Sequence, residues 1–268
     1  MSPDLYKAFA ELTYERTGIV LGETKQDLLL GRIHTRVQEL GLAGPEAYLE
    51  LVTATRSELQ RFVNAITTNV TAFFREPDHF RLLHRAARAA GERGENLRIW
   101  CAAASTGEEP WSIAITLREA LGPRARQSMV IATDINSEVL ASAEEGIYAP
   151  ARVRDLQPDL RATHFEDQGG RYRIRRELRD LVEFRKLNLI KDTWPVQGPF
   201  DVVFCRNVMI YFDRPTRART VLRASRLLRP GGLLLVGHSE SLAGIQAGLE
   251  SRRSSVYQRP RTQERRAS

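Results

Sequence analysis

The sequence predicts an α/β protein with three parts: an all-α N-terminal portion, a mostly parallel sheet covered by helices, and a small antiparallel insertion. Over residues 3–93 the apolar residues recur at helical spacing. After residue 96 short β-rich runs alternate with helical ones, which is the pattern of βαβ units with parallel strands. Over 148–180 this alternation is interrupted by prolines, a Gly-Gly turn and a ribbon in which every second residue is apolar, which predicts an exposed hairpin.

The composition excludes several classes of protein. A chain of 268 residues with 42% hydrophobic and 27% charged content is neither disordered nor collagen-like. Its two cysteines, Cys101 and Cys205, lie in apolar runs and are too few for a disulfide framework, which favours a reducing compartment. With no leader-like start and no apolar run of roughly 18 residues, we expect a cytoplasmic protein that is neither exported nor membrane-spanning. The net charge of +7 favours an anionic partner without choosing among nucleic acid, phosphate, a membrane surface and an acidic protein.

One predicted helix, over 25–40, combines an apolar stripe with a basic edge. The stripe consists of Leu29, Ile33, Val37 and Leu40. The basic edge consists of Lys25, Arg32 and Arg36. The helix could therefore pack on a core and face an acidic partner, although an ordinary solvated face explains the edge equally well. At the other end of the chain, residues 260–268 are basic and lack apolar periodicity, so we expect a flexible tail.

Five runs are predicted as strands of the parallel sheet, over 97–104, 128–133, 181–187, 200–205 and 232–237. The first strand leads into the small-residue segment STGEEP over 105–110, where the backbone can approach a bound molecule closely. The segment departs from G-x-G-x-x-G, and adjacent Glu108 and Glu109 would repel a pyrophosphate. A cofactor with a cationic or neutral centre is therefore expected.

Polar residues at two other strand ends are candidates for the same crevice. Asp134 follows the second strand, where an acidic side chain commonly accepts hydrogen bonds from ribose hydroxyls. Arg206 and Asn207 directly follow four apolar residues and are expected to point into the crevice. The alternatives are helix-capping roles for Asp134 and Asn207. The segment over 67–75, rich in amide, hydroxyl and aromatic side chains, is a candidate lid where the two domains meet.

Together these motifs resemble the chemotaxis receptor methyltransferases of the CheR type over nearly the whole chain. The motifs are TNVTAFFRE over 68–76, AAASTGEEP over 102–110, TDI over 133–135, FD over 200–201, FCRNVMIYFD over 204–213 and GHSE over 237–240. The resemblance implies S-adenosylmethionine-dependent methyl esterification of glutamates on bacterial chemoreceptors. It also implies a helical receptor-recognition domain over 1–72 and a Rossmann-like methyltransferase domain over 73–268, with a β-subdomain inserted at about 150–180.

The resemblance also assigns residues. Around the cofactor it places Asn69, Thr71, Arg75, Glu109, Asp134, Asn188, Leu189, Cys205, Arg206 and Asn207. Glu109 and Asp134 would meet its amino and ribose groups, and Arg75 and Tyr211 would lie nearest the methyl group as catalytic residues. The alternatives are a surface or phosphate contact for Arg75 and a packed core ring for Tyr211. The basic edge of Lys25, Arg32 and Arg36 would then bind the acidic, glutamate-bearing receptor helix.

Further expectations concern partners and metals. We expect a monomer that binds no nucleic acid and does not insert into a membrane, and the short loop over 166–170 favours receptor binding without a receptor C-terminal peptide. The rival hypotheses are a nucleic-acid methyltransferase, although 204–209 lacks an Asn/Asp-Pro-Pro-Tyr motif, and a non-catalytic cofactor sensor. No metal site is expected, because no ligand spacing joins the histidines to cysteines or acidic residues. The histidines are His34, His79, His84, His164 and His238.

Overall fold

The computed structural model describes residues 1–22 and 26–261, and of Leu28 only the backbone. Lys25, predicted as part of the basic edge, lies outside the described residues, as does the tail over 262–268. Arg259 is held against the sheet: its backbone N–H donates to the carbonyl of Gly232 at 2.9 Å, and its carbonyl accepts from Gly231 at 2.8 Å.

The N-terminal portion is helical, as predicted. It consists of α1 (Pro3–Thr17), α2 (Gln26–Glu39), α3 (Pro45–Ala54) and α4 (Arg56–Ile66). Three rings form the centre of its core: the centroid of Phe9 lies 6.1 Å from that of Tyr48 and 5.9 Å from that of Phe62. The predicted stripe is buried at Leu29, Ile33 and Val37. The prediction that Leu40 belongs to this buried stripe was wrong, because Leu40 follows the last residue of α2 and is 37% exposed.

An ion pair within this helical portion changes the interpretation of the basic edge. The Arg36 guanidinium donates to both carboxylate oxygens of Glu58, at 2.7 and 2.9 Å, and to Glu39 at 2.7 Å. Glu58 is buried and also accepts from the Tyr48 hydroxyl at 3.2 Å. The hydrogen bonds from Arg36 hold the pKa of the Glu58 carboxyl below its usual value. Arg36 is therefore a structural cation, and Arg32, whose side chain is exposed, is the described residue of the predicted edge that remains available to a partner.

The segment between α4 and α5 (Pro77–Glu92) is packed against the larger domain, and its role as a lid stays a prediction. The Phe73 ring packs edge-on against Tyr148 and Phe165, with centroids 5.0 and 5.5 Å apart, and the Phe74 ring packs against Phe80 at 5.2 Å. Both aromatic rings are thus partly buried in contacts that would break if this segment moved away.

The larger domain is a mostly parallel sheet with helices on both faces, as predicted. Within the described residues its strands are β1 (Arg98–Cys101), β2 (Met129–Asp134), β6 (Val182–Lys186), β7 (Phe200–Phe204), β8 (Leu228–Leu235), β9 (Glu250–Arg253) and β10 (Val256–Gln258). Their order is β6-β2-β1-β7-β8-β10-β9, with β10 antiparallel to both of its neighbours. β9 and β10 were not predicted from the sequence.

Alternation along the strands divides the core of this domain into two layers. Ile99 and Cys101 point to the face covered by α5, α6 (Glu108–Leu121) and α7 (Ser137–Glu145). Trp100 points to the opposite face, where α11 (Arg214–Leu227) packs. The chain builds β2 and β6 on one side of β1 and then returns to build β7 on the other. This reversal makes the carboxyl ends of β1 and β7 a switch point, where open α/β sheets bind their ligands.

The small antiparallel insertion is present and larger than the predicted hairpin. Its sheet has the order β3-β5-β4, from β3 (Ile147–Tyr148), β4 (Phe165–Asp167) and β5 (Tyr172–Ile174). The short helices α8 (Pro150–Val153), α9 (Pro158–His164) and α10 (Arg176–Arg179) complete the insertion. No helix in the described part of the chain has the length and apolar character needed to cross a bilayer.

Replacing Arg36 with alanine is expected to lower the free energy of unfolding by about 3 kcal/mol, because it leaves the buried Glu58 carboxylate without its cation. Urea unfolding at pH 7, followed by circular dichroism, measures this. The matched control is Arg32→Ala on the same helix, expected to change stability by less than about 0.5 kcal/mol. Equal, small effects of both substitutions would contradict the structural assignment.

The same pair gives a dependence on pH. Since the folded pKa of Glu58 lies below its unfolded value of about 4.3, the pair stabilises the protein fully above that pH. Its contribution is lost as the pH falls through the lowered pKa. The stability difference between wild type and Arg36→Ala should therefore shrink in acid.

Candidate active site

A single cleft lies at the switch point between β1 and β7. Its volume is about 850 Å³, including the solvent at its mouth. Its walls come from the loops that follow β1, β2, β6 and β7, and from the packed segment between α4 and α5. Thr17 and Ile19 of the helical domain complete it.

The structure brings the predicted cofactor and catalytic residues together with one exception. The cleft is lined by Asn69, Thr71, Arg75, Glu109, Asp134, Asn188, Leu189, Arg206, Asn207 and Tyr211. The side chain of Cys205 does not line it, so any contact of Cys205 with a cofactor would have to come from its backbone. Its side chain is 2% exposed and belongs to the core layer beneath α11, because alternation along the strand turns Cys205 to the same face as Val203.

Asp134 organises the two loops nearest β1 and β2. One carboxylate oxygen accepts the backbone N–H of Ser105 at 2.8 Å, and the other accepts that of Asn136 at 2.9 Å. Burial raises the pKa of Asp134, against the effect of these hydrogen bonds. The helix cap proposed as its alternative role belongs to Asn136, whose side chain accepts from the first turn of α7. Asp134 is thus a fixed acceptor in the cleft wall.

Arg206 is a buried cation held by two separate segments, the one that ends at Glu76 and the first turn of α6. Its side chain donates to Glu109 at 2.7 Å, to Glu76 at 2.9 Å and to the carbonyl of Arg75. Burial raises the pKa of Glu109, although Arg206 opposes the shift. Burial also acts to raise the pKa of Glu76, but hydrogen bonds from Arg206 and others hold it below its usual value. Glu76 was part of a recognised motif, but nothing in its local sequence indicated that it would pair with Arg206.

Glu76 also lies beside two histidines that the sequence gave no reason to group. One of its carboxylate oxygens is 3.6 Å from Nδ1 of His79 and 3.8 Å from Nε2 of His238. In the described residues these three side chains are close enough to form a set of metal ligands. The guanidinium of Arg206, 2.9 Å from the same oxygen, places a positive charge where a metal ion would have to bind. Burial, then the charge of Arg206, lowers the pKa of His79 to about 4, so its ring is neutral at pH 7.

The helical domain is joined directly to the cleft by the segment after α1, over 18–20. Val20 donates its backbone N–H to the carbonyl of Tyr211 at 2.8 Å, and Ile19 forms an antiparallel bridge with Phe212. Gly18 has φ +74, and a Cβ there would lie 2.5 Å from Ile190. This close approach requires glycine and brings Thr17 and Ile19 into the wall.

Two more hydrogen bonds tie the same junction. The Tyr14 hydroxyl donates to Asp213 at 2.6 Å, and the side-chain amide of Asn188 donates to the carbonyl of Arg16 at 2.8 Å. Arg75 and Tyr211 both line the cleft, and the Arg75 guanidinium donates to the carbonyl of Val70 at 2.9 Å. The cleft is therefore built from both domains.

Comparison with known families agrees with this division. Residues 4–67 match the model of the CheR methyltransferase all-alpha domain, and residues 69–257 match that of the CheR methyltransferase SAM-binding domain. This chain belongs to the CheR methyltransferase family. The domain boundary that the sequence predicted after residue 72 stays a prediction.

Curated members of this family are similar over most of their length. A chemotaxis protein methyltransferase of Klebsiella aerogenes is 45% identical over 258 residues, covering 94% of this chain and 88% of that protein. The Escherichia coli K12 chemotaxis protein methyltransferase is 42% identical, covering 94% and 89%. Chemotaxis protein methyltransferase 2 of Pseudomonas aeruginosa is 44% identical, covering 94% and 91%.

The cleft fits S-adenosylmethionine, the cofactor of the family. The Asp134 carboxylate accepts backbone N–H groups on both oxygens, and since a carboxylate has about four acceptor sites it retains capacity for a hydroxyl donor. Two carboxylates in the lining, Asp134 and Glu109, suit a ligand that carries a positive sulfur and an amino group. The Asn69 and Asn188 amides add neutral donors and acceptors.

Replacing Asp134 with asparagine is expected to raise the Kd of S-adenosylhomocysteine about 10- to 100-fold, because a charge-assisted acceptor becomes a neutral one. Isothermal titration calorimetry measures this. Asp180→Asn, an exposed position beside the small sheet, is the charge-matched control and should leave the Kd within about twofold. Unchanged affinity in Asp134→Asn, with an unchanged Tm, would remove Asp134 from the cofactor site.

Proposed function

We propose that this protein transfers the methyl group of S-adenosylmethionine to glutamate side chains on the cytoplasmic part of bacterial chemoreceptors, forming methyl esters. The single observation that carries the proposal is membership of the CheR methyltransferase family over both of its domains, with relatives that are chemotaxis protein methyltransferases. The two-domain cleft supports it, because a site bounded by a helical recognition domain suits a protein substrate.

The reaction needs no catalytic base. A glutamate with an ordinary pKa of about 4.3 is ionised at pH 7, so its oxygen is already a nucleophile. That oxygen forms a new C–O bond to the methyl carbon as the C–S bond breaks, and the sulfur keeps the electron pair. Opposite charges are neutralised in this step, so holding the two groups in line away from water lowers the barrier.

Arg75 and Tyr211 are proposed to act on the incoming carboxylate. Both line the cleft: Arg75 lies in the packed segment before α5, and Tyr211 in the loop after β7. The guanidinium of Arg75 would orient the carboxylate, and Tyr211 would supply a hydrogen bond and one wall of the methyl channel. Asn69, Thr71, Glu109, Asp134, Asn188, Leu189, Arg206 and Asn207 would hold the cofactor.

Charge supports a docking surface on α2. Arg32 is exposed on this helix, and the receptor segments methylated by this family bear glutamates, so attraction between the two is expected. Arg36, predicted with it, already forms an ion pair with Glu58, so Arg32 is expected to contribute more to this attraction. The rival nucleic-acid methyltransferase has no support from the comparisons. The other rival hypothesis, a protein that binds the cofactor without transferring its methyl group, is tested by the activity assay below.

Wild-type protein is expected to transfer radiolabelled methyl groups to a receptor cytoplasmic fragment, with release of the label by mild base, as a methyl ester requires. Tyr211→Phe should lower kcat about 10- to 100-fold, since it removes one hydrogen bond to the transition state. Its Kd for S-adenosylhomocysteine should stay within about twofold. Tyr172→Phe, in the small sheet, is the matched control. A base-stable product, or full activity in Tyr211→Phe, would contradict the proposed chemistry.

Arg32→Glu should raise KM for the receptor fragment about 3- to 10-fold and leave the affinity for S-adenosylhomocysteine unchanged, because the surface lies outside the cofactor cleft. The effect should weaken as salt is added. Arg154→Glu reverses an equally exposed charge near the insertion and serves as the control. If both substitutions raise KM equally, net charge and not α2 would be responsible.

A further inference from the structure

The turn that follows β8 contains a buried carboxylate whose role is not yet assigned. Glu240 is 2% exposed, although the sequence places it in a polar GHSE segment. One carboxylate oxygen accepts the backbone N–H groups of Gly237 at 2.6 Å and Asn207 at 2.7 Å. The other accepts those of Met209 at 2.7 Å and Ile210 at 3.1 Å.

These four hydrogen bonds join two strand ends. Three of the donors belong to the loop after β7, which carries Asn207 and Tyr211 into the cleft, and one belongs to the turn after β8. No basic side chain in the described ranges pairs with Glu240, so backbone donors alone compensate its burial. Buried backbone N–H groups need acceptors, and here one side chain supplies the acceptor for three of them in the loop.

Asn207 is held in an unusual conformation at this point. Its φ is +55, in the left-handed region that non-glycine residues seldom occupy. Its backbone N–H is fixed by Glu240, and its side-chain amide donates to Glu76 at 3.2 Å. Gly237 lies directly against it: a Cβ at Gly237 would be 2.4 Å from Nδ2 of Asn207 and 2.9 Å from Glu240. The loop therefore has little freedom on this side.

We propose that Glu240, seated by Gly237, is a positioning residue: it fixes the loop over 207–211 and so sets the place of Asn207 in the cofactor wall and of Tyr211 at the reacting group. The part that concerns Asn207 depends only on cofactor binding. The part that concerns Tyr211 rests on the proposed function.

The test is Glu240→Gln, which keeps the size of the side chain but turns one acceptor into an NH2 group facing two N–H donors. The Kd of S-adenosylhomocysteine is expected to rise about tenfold, a change typical of losing a buried hydrogen-bond partner. In the receptor assay kcat should fall at least about tenfold, with KM for the receptor fragment within about twofold. Ser239→Ala, on the same turn and exposed, should change none of these values.

A double-mutant cycle separates positioning from general loss of stability. If Glu240 acts on the cofactor through Asn207, Glu240→Gln should have less than a twofold effect on the Kd once Asn207→Ala is present. Gly237→Ala, which keeps the carboxylate but displaces Asn207, should weaken cofactor binding in the same way. If Glu240→Gln does not fold, the Kd of the Gly237→Ala variant still tests the positioning role of Glu240.

Several results would overturn the inference. One is a lowered Tm in Glu240→Gln with unchanged Kd and kcat per folded molecule, measured well below the Tm. Another is an undiminished effect in the Asn207→Ala background, and a third is wild-type affinity in Gly237→Ala. Absence of receptor methylation by wild type would instead refute the proposed function. The Kd values of S-adenosylhomocysteine for the variants, measured by calorimetry, would still test the effect of Glu240 on Asn207.

Discussion

The buried guanidinium of Arg206 holds the site together. It bridges Glu76, which ends the segment between the domains, and Glu109, in the first turn of α6, and it binds the carbonyl of Arg75. An unpaired charge at 3% exposure would be strongly unfavourable, and removing one partner of such a buried pair typically costs about 3–5 kcal/mol. Three segments far apart in the chain must therefore converge before any of these charges can be buried. The cleft is a consequence of that convergence.

A second constraint joins the two domains at the cleft itself. The segment after α1 pairs with the loop after β7, so the helical domain contributes Thr17 and Ile19 to the wall and restrains the backbone of Tyr211. The loop over 207–211 is thus held from one side by Val20 and from the other by Glu240. In the proposed function, a receptor helix bound to the helical domain would thus be linked through backbone hydrogen bonds to the loop that carries Tyr211.

The sequence predicted those parts of the site that follow from local rules. Strand ends are marked by apolar runs followed by polar residues, and parallel strands bring those ends to one edge, so Asp134, Arg206 and Asn207 could be placed in the cleft. The burial of the Cys205 side chain was not foreseen, because alternation at the end of β7 decides burial one residue at a time. The ion pair of Arg36 was not foreseen either, because its partner Glu58 lies on another helix, 22 residues away. The pairing of Glu76 and Arg206, across 130 residues, leaves no local signal at all.

The charged residues around the cleft fall into two groups, those paired with one another and those left available to ligands. Arg206, Glu76 and Glu109 are paired with one another, so they fix backbone and wall geometry without needing to reorganise when a ligand enters. Asp134 lines the cleft with acceptor capacity left over, and Arg75 lines it too, so an acidic and a basic group remain for two ligands of opposite charge. In the proposed reaction those ligands are a cationic sulfur donor and a receptor carboxylate. Because they neutralise each other as the methyl group moves, the protein gains most by fixing their approach, and buried, mutually paired charges are a rigid means of doing so.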